Sequence, residues 1–200
     1  LTEEETIKSE KGTYQWIIDP LDGTTNFLHQ LPFFSVSVAL QYKDQSILGI
    51  VYEVNQKECF YAFKDGGAFL NGKPIAVTNT TTLADSLVAT GFPYYDYTTM
   101  KAYLGILEAL MQKTRGIRRL GSAALDMAYV ACGRFDGYFE YSLNAWDIAA
   151  GALIVQEAGG IVSDFKGGDN YLFGREIIAS NSKITTPFFD LINMHFYPNS

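Results

Sequence analysis

The chain has 200 residues, of which 48% are apolar and 18% charged, with a formal net charge of −7. This is an ordinary globular composition for one domain or two small ones with a sizeable core, and no apolar run approaches the ~18 residues of a membrane-spanning helix. The acidic surplus excludes nucleic-acid binding by general electrostatics, and it repels phosphate esters unless something reverses the sign locally.

The first residues, Leu1-Thr2-Glu3-Glu4-Glu5, lack the basic and apolar regions of a signal peptide, and the absence of Met reads as a processed or truncated chain. Cys59 and Cys132 have no paired spacing, which fits a reducing cytoplasm and no zinc site. Residues 14–19 read as a buried strand, with a turn set by Pro20 after it. Phe33 to Gln41 and Ile47 to Glu53, joined through Lys43-Asp44-Gln45, form a hairpin, and Cys59 to Phe63 extends it. Ala68-Phe69-Leu70 is a short strand between turns at Gly66-Gly67 and Asn71-Gly72. Five strand signals in a row predict an antiparallel sheet.

The second half changes character. Tyr97 to Gln112 has a helical pattern, and Gly116 to Leu120 a short strand. Ser122 to Cys132 is an Ala-rich helix, capped by Ser122 and ended by Gly133. Phe135 to Tyr141 is a strand. Asp147 to Ala158 is a helix capped by Asp147 and stopped by Gly159-Gly160; it is apolar nearly all round, hence buried. Ile161 to Ser163 and Ile177 to Ser180 are short strands, and Thr185 to His195 a terminal helix. The class is α+β or layered αβ.

The chemistry concentrates in Asp19-Pro20-Leu21-Asp22-Gly23-Thr24-Thr25-Asn26, which directly follows the apolar run Trp16-Ile17-Ile18. Two carboxylates sit at a strand end, followed by a glycine and two hydroxyls. Asp147 is a third carboxylate, held at the edge of the core. Carboxylates ~4 Å apart repel by ~4 kcal/mol at an effective dielectric of about 20, so their convergence calls for a cation. Oxygen ligands select Mg²⁺, Ca²⁺ or Mn²⁺, and Mg²⁺ shares its shell with substrate phosphate. Unpaired N–H groups at Gly23-Thr24-Thr25 would receive that phosphate.

Residues 16–27, Trp-Ile-Ile-Asp-Pro-Leu-Asp-Gly-Thr-Thr-Asn-Phe, closely resemble the first signature of the inositol monophosphatase family. Trp146-Asp147-Ile148-Ala149-Ala150-Gly151 through Glu157-Ala158-Gly159-Gly160 resembles the second, and Gly121-Ser122-Ala123-Ala124-Leu125-Asp126 also fits. The resemblance spans the whole chain. It implies the α+β, layered αβαβα sugar-phosphatase-like fold. That family has two further helices before its Gly-Glu-Glu segment, and this chain begins almost there. The expectation is therefore a single, N-terminally incomplete domain over 1–200, with an antiparallel sheet and metal loop to about 115 and a second αβ layer over 116–200.

The resemblance also implies roles. Asp19, Asp22, Asp147 and the Leu21 carbonyl would bind two or three Mg²⁺ ions. Glu4, as the second Glu of the Gly-Glu-Glu segment, would bind metal and hold the attacking water, which Thr24 helps orient. Gly23, Thr24 and Thr25 would hold phosphate, with Asp22 and Asp147 also facing the substrate. Glu140 would take a substrate hydroxyl, and Gly121, Ser122 and Ala123 would line the ring. Lithium sensitivity and a homodimer follow from the same likeness.

Blander readings stand beside these. Glu3 and Glu5 are a solvated face, Glu140 an exposed strand end, Ser122 mainly a helix cap, and Asp147 only an N-cap. His29 packs or faces solvent, and His195 carries no signal. Arg115, Arg118 and Arg119 form a solvated or interface patch, or bind a second substrate phosphate. Phe33-Phe34 and Tyr94-Tyr95 are core or interface. The expected function is Mg²⁺-dependent hydrolysis of inositol monophosphate or a similar sugar or polyol phosphate, without nucleic acid or membrane. Thr25-Asn26 disfavours the nucleotide phosphatases of the superfamily, which resemble it but carry Lys-Glu there. Fructose 1,6-bisphosphate and histidinol phosphate remain alternatives, as does a role as a binding partner of the transcription machinery.

Overall fold

A computed structural model describes residues 1–3, 13–93 and 97–198. Glu4, Glu5 and Tyr94-Tyr95 lie outside the described residues. The first six strands are β1 (Tyr14–Asp22), β2 (Ser35–Tyr42), β3 (Gln45–Glu53), β4 (Glu58–Phe63), β5 (Gly67–Leu70) and β6 (Lys73–Ile75). They form an antiparallel sheet in chain order, as the run of turn signals requires. Lys43 and Asp44 both have positive φ (48° and 63°), as does Asn71-Gly72 (48° and 81°); these are the two-residue turns that match strand twist.

A second sheet has the order β10-β11-β9-β7-β8. Its strands are β7 (Leu87–Thr90), β8 (Gly116–Arg118), β9 (Gly137–Tyr141), β10 (Gly160–Ser163) and β11 (Glu176–Asn181). β7 runs parallel to both β8 and β9, and the other pairs are antiparallel. The layer change thus falls between Ile75 and Leu87, not near 115: β7 was not legible as a strand, and the helix after it belongs to the second layer.

Six helices among the described residues complete the order: α1 (Thr24–Leu28), α2 (Met100–Lys113), α3 (Ala123–Ala131), α4 (Ala145–Glu157), α5 (Tyr171–Gly174) and α6 (Thr185–Phe196). α3 and α4 pack between the two sheets, with α4 buried on every side from Ile148 to Val155. α2 and α6 pair on the other face of the second sheet, around Tyr103, Ile106, Phe139 and Phe188. The result is the layered α+β arrangement expected of the sugar-phosphatase type. Cys59 and Cys132 are unpaired, and no helix among the described residues is long and apolar enough to cross a membrane.

Candidate active site

The three aspartates converge. One ligand oxygen from each of Asp19, Asp22 and Asp147 lies within 4.8 Å of the others. The sequence reading of a turn at Pro20 needs correction: β1 continues to Asp22 through a bulge, with Asp19 opposite Ser37 and Asp22 opposite Ser35. In a regular strand, residues three apart face opposite sides. The one extra residue of the bulge re-aims Asp22, so that both carboxylates meet at the same place. Asp147 arrives from α4. It is not the N-cap but the third helical residue; Asn144 is the cap.

Each aspartate is pinned by a backbone N–H. Asp19 Oδ1 accepts from Leu21 N at 2.9 Å, Asp22 Oδ2 from Ala124 N at 2.8 Å, and Asp147 Oδ2 from Asn144 N at 2.7 Å. The Ser122 hydroxyl also donates to Asp22 Oδ2 at 2.5 Å. Backbone anchors fix the geometry before any cation arrives. Burial nonetheless pushes Asp19 up to about 8, helped by the Asp22 charge, and Asp147 up to about 7 for the same two reasons. Burial also lifts Asp22 to about 6, against the pull of Ser122 and the α3 N–H groups. Three such carboxylates do not remain ionised together on their own. An all-oxygen set of this kind fits a hard divalent cation, whose charge would reverse every one of those shifts.

Glu3, read as solvated, is exposed and also borders this site. Ile18 N donates to Leu1 O at 3.0 Å and Thr2 bridges Ile18 in parallel, so the segment runs beside β1. This sets the Glu3 carboxyl against Asp19, whose protonated form it favours. Glu4, expected in that role, lies outside the described residues.

Above the aspartates opens a cavity of about 240 Å³, lined by Glu3, Asp22, Asp147, Gly23, Thr24 and Thr25 on one side and by Arg119, Gly121, Ala123 and Glu140 on the other. Gly23 is required twice over. Its φ is +93°, and a Cβ there would meet Phe33 O at 3.1 Å and Gly121 O at 3.2 Å. Thr24 Oγ1 donates to Leu21 O at 2.9 Å. That bond uses the Thr24 proton and leaves the oxygen as an acceptor; it also occupies one side of the Leu21 carbonyl. Asn26 is buried, and its Nδ2 donates to Phe33 O at 2.8 Å and Leu120 O at 2.7 Å. It ties the metal loop to the Gly121 segment.

Glu140 is not an exposed strand end. It is 8% exposed, accepts from the Tyr138 hydroxyl at 2.5 Å, and borders the cavity. Burial raises it to about 8, with the neighbouring Asp147 and Asp22 charges adding to the shift. Ser122, expected to line a ring, does not border the cavity: it is 1% exposed, and its hydroxyl is turned to Asp22. Gly121 and Ala123 do line it.

The basic cluster splits. Arg115 pairs with Asp85 at 3.0 Å in solvent, and Arg118 bonds the carbonyl of Ile117. Arg119 instead enters the cavity wall, with its guanidinium over Phe92 at 5.2 Å. Phe33 packs on Tyr129, and His29 is an exposed cap residue of α1 outside the cavity. His195 Nδ1 lies 2.8 Å from Leu191 O, within its own helix.

Arg175 was not anticipated. It lines the cavity and bonds Ser142 O at 3.1 Å, Ser142 Oγ at 3.3 Å and Leu143 O at 3.3 Å. Both Ser142 and Arg175 have left-handed backbones (φ 69° and 65°). The clamp holds the loop that delivers Asn144 and Asp147. Asp126 was named only within a motif. Its buried Oδ1 has no partner among the described residues, and burial, with the Glu140 charge adding to it, pushes the carboxyl well above the usual carboxylate range.

Two packed αβ layers, with an oxygen cluster for a divalent cation at their junction beside a polar cavity, define a protein of the sugar-phosphatase fold class. Residues 1–192 match the Inositol monophosphatase family, and the chain belongs to that family. It is 48% identical over 182 residues to "Putative Nus factor SuhB" of Neisseria meningitidis serogroup B, covering 91% of this chain and 70% of that protein. It is 44% identical over 178 residues to "Inositol-1-monophosphatase" of Mesorhizobium japonicum, covering 89% and 67%. Among solved structures, the SuhB extragenic suppressor protein of Bartonella henselae superposes with a TM-score of 0.92 at 43% identity, covering 96% of this chain and 74% of that one. The Thermotoga maritima IMPase superposes at 0.87 with 42% identity, covering 98% and 74%. With relatives named as Nus factors, the exclusion of nucleic acid drawn from net charge no longer stands.

Proposed function

We propose that the chain is a Mg²⁺-dependent phosphomonoesterase acting on inositol monophosphate or a similar small sugar or polyol phosphate, in the cytoplasm and as a lithium-sensitive homodimer. One observation carries the reading: three backbone-anchored aspartates meet within 4.8 Å beside a cavity bordered by Gly23, Thr24 and Thr25. Asp19, Asp22 and Asp147 would hold the cation, with the Leu21 carbonyl beside them. Bound there, Mg²⁺ supplies positive charge for the phosphate and acidifies water.

The chain's own residues then divide the work. Thr24 Oγ1, its proton committed to Leu21 O, accepts a hydrogen bond from the attacking water and so aims a lone pair at phosphorus. Glu3 is the adjacent carboxylate able to take up the water's other proton as the oxygen bonds to phosphorus. The Gly23–Thr25 backbone receives the phosphate oxygens. Glu140 and Arg119, across the cavity, receive substrate hydroxyls. No serine, cysteine or histidine is set as a nucleophile among these lining residues, so the reading is direct hydrolysis.

A panel of inositol 1-phosphate, fructose 1,6-bisphosphate, histidinol phosphate and adenosine 3′,5′-bisphosphate, with Mg²⁺ and with EDTA, tests this. Release from inositol 1-phosphate that needs Mg²⁺ is expected; no metal-dependent release from any of the four contradicts it.

The relatives named Nus factors favour a second reading, binding to the transcription machinery. Polymerase association that survives Asp147→Asn supports it, and association lost only in that variant ties binding to the metal site instead.

A further inference from the structure

The cavity wall that carries Glu140 and Arg119 rests on two consecutive residues. Thr90 of β7 pairs with Phe139 of β9, so Gly91, the next residue, falls beside Glu140. A Cβ on Gly91 would lie 2.0 Å from the Glu140 carboxyl, so that carboxyl packs directly on the Gly91 backbone. Phe92 follows, half-exposed at the cavity, with the Arg119 guanidinium over its ring at 5.2 Å. The two side chains assigned to substrate hydroxyls are thus both set against the Gly91–Phe92 peptide.

Tyr103 holds that peptide from outside the cavity. It sits on α2, is 1% exposed, and is not among the lining residues. Its hydroxyl donates to Gly91 O at 2.6 Å. That commits its proton, so Thr90 Oγ1, 3.0 Å from the tyrosine oxygen and 3.2 Å from Gly91 O, is the second donor of the pair. Burial pushes the Tyr103 hydroxyl above the usual tyrosine range, which keeps it a donor.

The Tyr103 ring braces the same wall. It meets the Phe92 ring edge-on at 6.3 Å, and it packs on Phe139 and Tyr141 at 5.8 and 5.7 Å. Those two residues flank Glu140 on β9, and alternation along a strand turns them to the opposite face. A peptide unit is planar, so holding Gly91 O fixes the plane from the Gly91 Cα, against Glu140, to the Phe92 Cα, beside Arg119. Packing alone does not call for the hydroxyl, since a phenylalanine would fill the position without burying a polar group. The acceptor of that hydroxyl is the backbone of the cavity wall.

We propose that Tyr103 is a positioning residue for the polyol end of the substrate: it fixes the Gly91–Phe92 wall on which Glu140 and Arg119 are set, and touches neither phosphate nor cation. This rests on the phosphomonoesterase reading. The test is steady-state phosphate release by the wild type and Tyr103→Phe at saturating Mg²⁺, from inositol 1-phosphate and from p-nitrophenyl phosphate, which has no hydroxyl to be recognised. KM for inositol 1-phosphate should rise roughly three- to tenfold, as the loss of one neutral hydrogen bond allows, with kcat within about twofold. Neither constant should move for p-nitrophenyl phosphate. Thr90→Val should shift KM in the same direction and Thr90→Ser should not; this pair keeps the test open if Tyr103→Phe fails to fold. An unchanged KM for inositol 1-phosphate in the folded variants, a lowered melting temperature alone, or an equal rise in KM with p-nitrophenyl phosphate would overturn the role of Tyr103 and leave the phosphomonoesterase reading standing. A wild type that releases no phosphate from inositol 1-phosphate would overturn that reading, and this proposal with it.

Discussion

Ser122→Ala separates positioning from capping. The Ser122 hydroxyl donates to Asp22 Oδ2 at 2.5 Å and accepts from Leu125 N at 3.4 Å. The second contact is long, so losing the cap costs at most ~1 kcal/mol, or roughly 2–4 °C in melting temperature for a chain of this size. The first is a hydrogen bond to an ionised group, with a value of ~1.5–3 kcal/mol. It supports the charged form of Asp22, which is the form a cation needs. At ~1.4 kcal/mol per tenfold, its loss raises the Mg²⁺ concentration for half-maximal activity by roughly 10- to 150-fold. The assay is phosphate release across a Mg²⁺ series, with melting curves at each concentration. The expected variant recovers activity at high Mg²⁺. A lowered melting temperature with unchanged Mg²⁺ half-saturation would refute the positioning role and leave Ser122 as a cap.

Other outcomes follow from the same geometry. In the metal-free protein, Asp22, Asp147 and Asp19 are raised to about 6, 7 and 8 from an ordinary 3.8. Between those values the folded state holds more protons than the unfolded state, so stability falls as pH rises through that window. With EDTA, melting should therefore be higher at pH 5 than at pH 8, and Mg²⁺ should add more at pH 8; the opposite order in EDTA counts against the coupling. For Gly91→Ala, the new Cβ would lie 2.0 Å from the Glu140 carboxyl. Glu140 must move, so KM should rise several-fold more than kcat falls, and equal effects on both would contradict a substrate-binding role. Asn26→Leu removes both donors that join Phe33 O and Leu120 O. The expected loss is ~2–4 kcal/mol, or roughly 4–16 °C by thermal melting, and no loss would mean the two loops hold without it.

Much of this site was legible in the chain. The metal loop, the buried helix carrying Asp147 and the meander of the first sheet all follow from local pattern, because turn residues and apolar periodicity are local quantities. What escaped depends on long-range pairing. The bulge at Asp19–Asp22 is set by register against β2, so Pro20 read as a turn. Placing Glu3 beside Asp19 needed the pairing of Thr2 with Ile18. Ser122 looked like a ring-lining cap because sequence does not say which way its hydroxyl turns. β7 is only four residues long and was lost among loop signals, which misplaced the layer boundary. Arg119 was legible only as one of three clustered arginines and Arg175 showed no pattern at all; only the cavity distinguishes them from surface arginines. Asn26 marked a branch of the superfamily in sequence and turned out to be a stitch between loops, a role a glutamate's acceptor-only carboxylate does not fill.

The central claim is that Asp19, Asp22 and Asp147 form one cation site that drives phosphate release. Its most direct test is release from inositol 1-phosphate by the wild type and by Asp147→Asn at saturating Mg²⁺, with circular dichroism on both. The account predicts a fully folded variant with release reduced to background, and wild-type activity abolished by EDTA. Full activity in the folded variant would contradict it.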